Sequence, residues 1–236
     1  MKKIIFTGGN GRFGKIFRTI KHKEKIFFPT KKELNIKDIK SIEKYIKKNK
    51  TKYFIHCAGL SRPMDTHTKD INKSIDLNII ATSNIVKVCN NFNIKLIYFS
   101  TNYVYPGVKG QYLENNPLLP INNYALSKLG GECAVQMYKN SLILRICMTE
   151  KPFIHKKAFS DVDMNFMFHE DLAKNLLKLI DCKGILNVGG KTQSVYNFAK
   201  KNNKNVIKTL AKKTMGSHYP LKQSMNVNKY LKIIKN

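Results

Sequence analysis

Lys3-Ile4-Ile5-Phe6-Thr7-Gly8-Gly9-Asn10-Gly11-Arg12-Phe13-Gly14 is the stretch that decides the fold. A short apolar run of strand type leads into glycines 8, 11 and 14, and Ile16, Phe17 and Ile20 then follow in a helical segment. Strand, glycine turn and helix in this order make a pyrophosphate site. Gly8 allows the tight turn, Gly11 lets phosphates approach the backbone, and Gly14 lets the helix pack on the strand, with the anion at the helix N-terminus. Asn10, Arg12 and Phe13 are assigned to the same ligand, Arg12 adding positive charge. No Gly-Lys-Ser/Thr follows, which excludes a P-loop.

Outward from this turn, strands and helices alternate. Strands are expected at Lys25 to Phe28, Tyr53 to Cys57, Lys95 to Phe99 and Leu142 to Ile146. Helices are expected over Ile36 to Lys48, over Asp70 to Phe92 as one long element, and over Asn123 to Tyr138. Such alternation predicts an α/β, doubly wound parallel sheet over residues 1–146. Ligands then lie beyond the carboxyl ends of the strands, where the glycine turn, His56-Cys57-Ala58-Gly59 and Ser100-Thr101 fall.

Tyr124 and Lys128 share a face of the third helix, 23 residues after Thr101. A phenol titrates near pH ~10 in water, so Tyr124 needs a nearby cation such as Lys128 to work near neutrality. The hydroxyls of Ser100 and Thr101 are placed to orient a reacting oxygen. A solvated i,i+4 contact is the plain alternative for such a pair in a lysine-rich chain. The glycine turn upstream argues for the proton-transfer reading.

Five segments together resemble the extended, sugar-nucleotide-modifying branch of the short-chain dehydrogenase/reductase superfamily. They are the glycine turn, His56-Cys57-Ala58-Gly59, Asn78, Phe99-Ser100-Thr101-Asn102-Tyr103-Val104-Tyr105-Pro106-Gly107, and Tyr124 with Lys128. Within the branch the chain is most similar to dTDP-4-dehydrorhamnose reductases, although Asn102 stands where those usually carry Asp. The resemblance implies a Rossmann fold and NADPH-dependent reduction of a 4-keto-6-deoxy nucleotide sugar, in nucleotide-sugar and surface polysaccharide biosynthesis. It makes Tyr124 the proton donor, Lys128 the group that lowers its pKa and holds the nicotinamide ribose, and Thr101, with Ser100, the partner of the substrate oxygen. Asn78 becomes a helix-kink position supporting a proton relay, and Ala58-Gly59 the floor beneath the cofactor. Substrate contacts are expected from Ser100, Thr101, Asn102, Tyr103, Arg145, Met148 and Phe153, with Lys151, His155 and Lys156 as further candidates. Dehydratases of this scaffold place Asp-Glu directly after the Thr, where this chain has Asn102-Tyr103. Two alternatives remain: an epimerase sharing the Tyr/Lys pair, and a catalytically idle dinucleotide-binding regulatory subunit.

Cofactor choice rests on Phe28-Pro29-Thr30-Lys31-Lys32, which has no acid before Glu33 to bind the adenosine ribose of NAD. Lys31, Lys32 and Arg12 suit the 2′-phosphate of NADP, so NADPH is expected over NADH. A net charge of +28 is almost all dispersed lysine, with arginine only at 12, 18, 62 and 145. This argues against a dedicated nucleic-acid surface and for general attraction of anionic nucleotides. No apolar run approaches the roughly 18 residues of a membrane span, and the short run after Met1 is no signal peptide. Five cysteines without CxxC spacing and six scattered histidines predict a reducing, cytoplasmic setting and no metal site. Cys57, Cys89, Cys133 and Cys147 read as small core residues. Residues 147–236 are expected to form a small substrate-binding lobe that partly completes the Rossmann core. This lobe is shorter than usual for the branch, so its pocket is reduced, open or completed by another chain, as in a homodimer.

Overall fold

The computed structural model describes residues 1–235. Strands β1 (Lys3–Thr7), β2 (Lys25–Phe27), β3 (Tyr53–His56), β4 (Lys95–Thr101), β5 (Ser141–Ile146) and a sixth, Gly184–Val188, form one sheet. Its order is Gly184–Val188, β5, β4, β3, β1, β2, and every pairing is parallel. Successive side chains leave a strand on opposite faces, and the core divides accordingly. Ile4, Phe6, Ile55, Ile97, Phe99, Leu142 and Leu144 face one layer, while Ile5, Phe54, Leu96, Tyr98 and Ile143 face the other. The first layer is closed by helices α1 (Arg12–Thr19) and, from late in the chain, His169–Asn175. The second is closed by α2 (Ile39–Asn49) and two later helices through Ile42, Ile46, Ile85, Val88 and Val135. All seven residues of β4 are buried. Covering a sheet on both faces produces the nearly continuous apolar strands seen in the sequence.

Helix starts follow local capping chemistry. Asp38 accepts from the Lys40 amide, so α2 begins at Ile39 rather than Ile36. The single helix expected over Asp70 to Phe92 is instead broken. After α3 (Thr66–Lys69) come α4 (Ile71–Ile75), a π-helical turn Asp76–Ile80 and α5 (Ala81–Asn91). The break centres on Asn78, whose carbonyl accepts from the Thr82 hydroxyl at 2.8 Å and whose side chain is drawn out to Leu60. On the next helix, α6 (Asn123–Gln136), a Cβ at Gly131 would lie 2.4 Å from the Asn78 carbonyl. That contact requires glycine.

A second core gathers Val104, Tyr105, Tyr112, Phe153, Phe168, Phe198 and Val227 into a lobe beside the sheet. It draws on the stretch after β4 as well as on the second half of the chain. Conversely, Gly184–Val188 and helix α7 (His169–Asn175) return from that half to the sheet. Cys133 is exposed, contrary to the core position expected for it, because it lies on the outer side of α6. No helix among the described residues is long and apolar enough to cross a membrane.

Candidate active site

The strand order reverses between β1 and β3, which opens a crevice at their carboxyl ends. The glycine turn forms one wall. Gly8 has φ +84°, and a Cβ there would lie 2.8 Å from the Ala58 amide nitrogen; a Cβ on Gly14 would lie 2.2 Å from the Gly8 carbonyl. Gly11 caps α1 with no side-chain hydrogen bond, so the first amides of that helix remain available to an anion. Ala58 and Gly59 form the floor. A Cβ on Gly59 would lie 2.9 Å from Asn78 Oδ1, which accepts from the Leu60 amide at 2.8 Å. Asn78 Nδ2 donates to the Leu60 carbonyl and to Ser127 Oγ, fastening this floor to α6.

At the opposite wall, α6 starts where Asn122 accepts from the Ala125 amide at 2.8 Å. Tyr124 faces the Thr101 side chain at the end of β4. Thr101 Oγ1 also accepts from the Tyr103 amide at 3.3 Å. The Lys128 ammonium sits 4.2 Å from the centre of the Tyr98 ring, a cation held on an aromatic face. The three residues assigned to catalysis from the sequence thus converge, with Tyr103 edge-on to Tyr124 at 6.4 Å.

The electrostatics differ from expectation. Burial raises the Tyr124 pKa above its ordinary value, outweighing the Thr101 hydrogen bond and the charges of Arg12 and Arg62. Burial likewise pushes the Lys128 pKa down to about 8. Tyr124 therefore keeps its phenolic proton at neutrality. A buried lysine with its folded pKa below the unfolded one is charged in both states at low pH, so its stability penalty is full below about pH 8 and relieved above. Thermal unfolding between about pH 8 and the free lysine value near ~10.4 is expected to show this contribution rising with pH in wild type. In Lys128→Met the rise should be missing.

Several expected contacts are corrected. Arg145 is 1% exposed and closed on itself: its Nε and Nη2 donate to Glu132 at 3.1 and 2.6 Å, and its Nη1 to the Tyr105 hydroxyl and the Glu114 carbonyl. Its guanidinium is not available to a substrate. Ser100 spends its hydroxyl proton on Glu132 at 2.5 Å, leaving Thr101 as the free hydroxyl of the pair. Phe153 lies in the lobe core, whereas Asn102 opens the turn after β4 and is buried with its Nδ2 unpartnered. Phe13 packs among Phe6, Phe17, Phe99 and His169, so only its backbone faces the crevice. Met148 is partly buried against the sheet core, while Lys31 is exposed near the end of β2.

Three polar residues at the crevice escaped the sequence reading. Arg18 donates to Asn10 Oδ1 at 2.9 Å and lies over the Phe28 ring, beside the end of β2. Its place one turn after Gly14 was the available signal. Glu150 and Arg62 escaped because they meet only in three dimensions: Glu150 joins Arg12 at 3.0 Å and Arg62 at 3.2 Å, linking the glycine turn to the start of the lobe. No local spacing marks that contact.

A model of the RmlD substrate binding domain matches residues 1–150. The chain belongs to the RmlD substrate binding domain family. Among curated proteins, it is 34% identical over 114 residues to methionine adenosyltransferase 2 subunit beta of Xenopus laevis, covering 48% of this chain and 34% of that protein. It is 29% identical over 154 residues to a probable low-salt glycan biosynthesis reductase, Agl14, of Haloferax volcanii, covering 59% and 51%. The match thus spans a third to a half of these relatives. Among solved structures, the dTDP-4-dehydrorhamnose reductase of Bacillus anthracis in complex with NADP superposes with a TM-score of 0.85 at 23% identity, over 98% of this chain and 92% of that one. The Bordetella bronchiseptica enzyme WbmG in complex with NAD gives 0.77 at 17% identity, over 99% and 87%. At these identities the likeness establishes the fold, with the lobe included.

Proposed function

We propose that the protein reduces the 4-keto group of a 4-keto-6-deoxy nucleotide sugar with NADPH, as a cytoplasmic step of surface polysaccharide synthesis. The observation that carries this reading is a Tyr124 held protonated by burial beside Thr101 and Lys128, at the carboxyl end of a parallel sheet. A reduction needs a proton donor at the carbonyl oxygen, and the site offers one. Family membership and the reductase among the curated relatives support it.

Gly8, Gly11, Gly14, Ala58 and Gly59 fit a dinucleotide, since added side chains would fill the cradle or clash with its walls. A bound reduced nicotinamide supplies hydride to the carbonyl carbon. Thr101 orients the carbonyl oxygen, and Tyr124 gives it the phenolic proton. Lys128, a cation below about pH 8, stabilises the phenolate left behind and holds the ribose. Asn78, pinned to Leu60 and Ser127, shapes the floor through which the phenol is reprotonated.

Arg18 and Lys31 flank the end of β2, where no carboxylate faces a ribose: Glu33 is occupied by the Thr30 amide and hydroxyl at 2.7 and 2.9 Å. Replacing both Arg18 and Lys31 by alanine is expected to weaken NADPH binding by roughly tenfold or more while leaving NADH nearly unchanged, in a fluorescence titration. Equal weakening of both cofactors would remove the case for a 2′-phosphate site. The second reading, a dinucleotide-binding subunit of a larger enzyme, is favoured by the curated relatives named as methionine adenosyltransferase subunits. Assaying oxidation of NADPH across dTDP- and UDP-linked 4-keto-6-deoxyhexoses separates the two readings.

A further inference from the structure

We infer that the amino ends of the sheet strands carry a second anion site, a cleft lined by Lys52, Lys95 and Lys183 that takes a phosphate-sized oxyanion. It lies at the end of the strands opposite the crevice. Lys52 and Lys95 stand at the starts of β3 and β4, where the Lys95 amide donates to the Lys52 carbonyl at 3.0 Å. Asn140 is held beside them by the Leu96 amide, which donates to its carbonyl at 3.1 Å. Lys183 arrives on the turn before the sixth strand, and Asn93 on the turn after α5, with φ +48°, a left-handed conformation that asparagine tolerates. The cleft they line has a volume of about 260 Å³. Sites for drug-sized ligands run to roughly 300–1,000 Å³, so this one suits an ion.

Lys95 is 7% exposed, and a lysine is almost never buried this far unless a counter-charge pairs it. Its Nζ donates to the Cys182 carbonyl, which satisfies one of its donors without neutralising its charge. The carboxylate lining the cleft, Asp181, is already engaged through both oxygens: Oδ2 accepts from Lys2 Nζ at 2.5 Å and Oδ1 from the Tyr53 hydroxyl at 2.8 Å. Among the described residues, Lys52, Lys95 and Lys183 form no ion pair. Burial pushes the Lys95 pKa down to about 8; the charge of Lys183 acts in the same direction, and Cys182 and Asp181 oppose it. That is the state of an ammonium short of a counter-ion. An oxyanion in the cleft supplies the missing charge and accepts charge-assisted hydrogen bonds from the lysines.

The test titrates inorganic phosphate against chloride at constant ionic strength, read by calorimetry and by the rise in unfolding temperature. Wild type is compared with Lys95→Met, with Lys52→Gln/Lys183→Gln, and with Lys157→Gln/Lys208→Gln, which removes as much charge from exposed positions on the lobe. Wild type is expected to bind phosphate saturably, and Lys95→Met to lose affinity by about tenfold or more, the worth of a charge-assisted hydrogen bond. Lys52→Gln/Lys183→Gln is expected to lose about threefold or more; it alters exposed side chains and so stays informative if Lys95→Met does not fold. The lobe variant should stay within about twofold of wild type. Phenyl phosphate in a parallel titration separates the free ion from a phosphate ester: the cleft volume predicts weaker binding of the ester, and an ester held as tightly through Lys95 assigns the site to phosphate monoesters. Affinity unchanged in both cleft variants, as binding at the glycine turn alone would give, overturns the inference, as does the absence of saturable binding. None of these measurements depends on the proposed reduction.

Discussion

Tyr124→Phe is expected to lower turnover by roughly 10²- to 10⁴-fold, the range for removing a general acid, while NADPH affinity stays within about twofold of wild type. The substitution removes one oxygen from a ring already packed between His67 and Tyr103, at centroid distances of 5.2 and 6.4 Å, so the site keeps its shape. Because burial holds the phenol protonated, the loss belongs to the proton-transfer step and not to binding. Stopped-flow measurement of NADPH oxidation, paired with a binding titration, reads both quantities. An equal fall in affinity and turnover would instead make Tyr124 a packing residue.

Arg145→Leu is expected to destabilise the fold by roughly 3–5 kcal/mol, the range for breaking a buried ion pair from one side. It leaves the Glu132 carboxylate without its partner at 0% exposure and strips the Tyr105 hydroxyl and Glu114 carbonyl of a donor. A substrate-contacting arginine would behave differently, raising KM at unchanged stability. Chemical denaturation of the two proteins distinguishes these outcomes. The same buried network extends to Asn187, which accepts from the Tyr105 hydroxyl at 2.9 Å, and so ties α6 to the sixth strand and the lobe.

Local chemistry made much of this legible. The glycine spacing of residues 8 to 14 reports backbone contacts made within one strand-turn-helix unit, and the alternating apolar strands report a sheet covered on both faces. Tyr124 and Lys128 lie on one helix, so their shared face follows from its period. Arg145 was misread because a strand-end arginine looks the same whether it meets a ligand or a carboxylate 13 residues away in sequence on a helix above it. The π-turn at Asn78 is absent from the periodicity, and only the family resemblance marked that residue as a kink: the helix is broken by tertiary demands from Leu60 and Gly131, while its own sequence keeps an uninterrupted helical pattern. Glu150 bridges Arg12 and Arg62 across 138 and 88 residues, and no periodicity encodes such a meeting.

The most direct test of the account follows NADPH absorbance on mixing purified protein with a panel of dTDP- and UDP-linked 4-keto-6-deoxyhexoses, with Tyr124→Phe in parallel. Wild type is expected to oxidise NADPH with at least one of these sugars, and the variant to lose nearly all of that activity. Tight NADPH binding without oxidation by any ketosugar would contradict it and leave the dinucleotide-binding subunit as the reading to pursue.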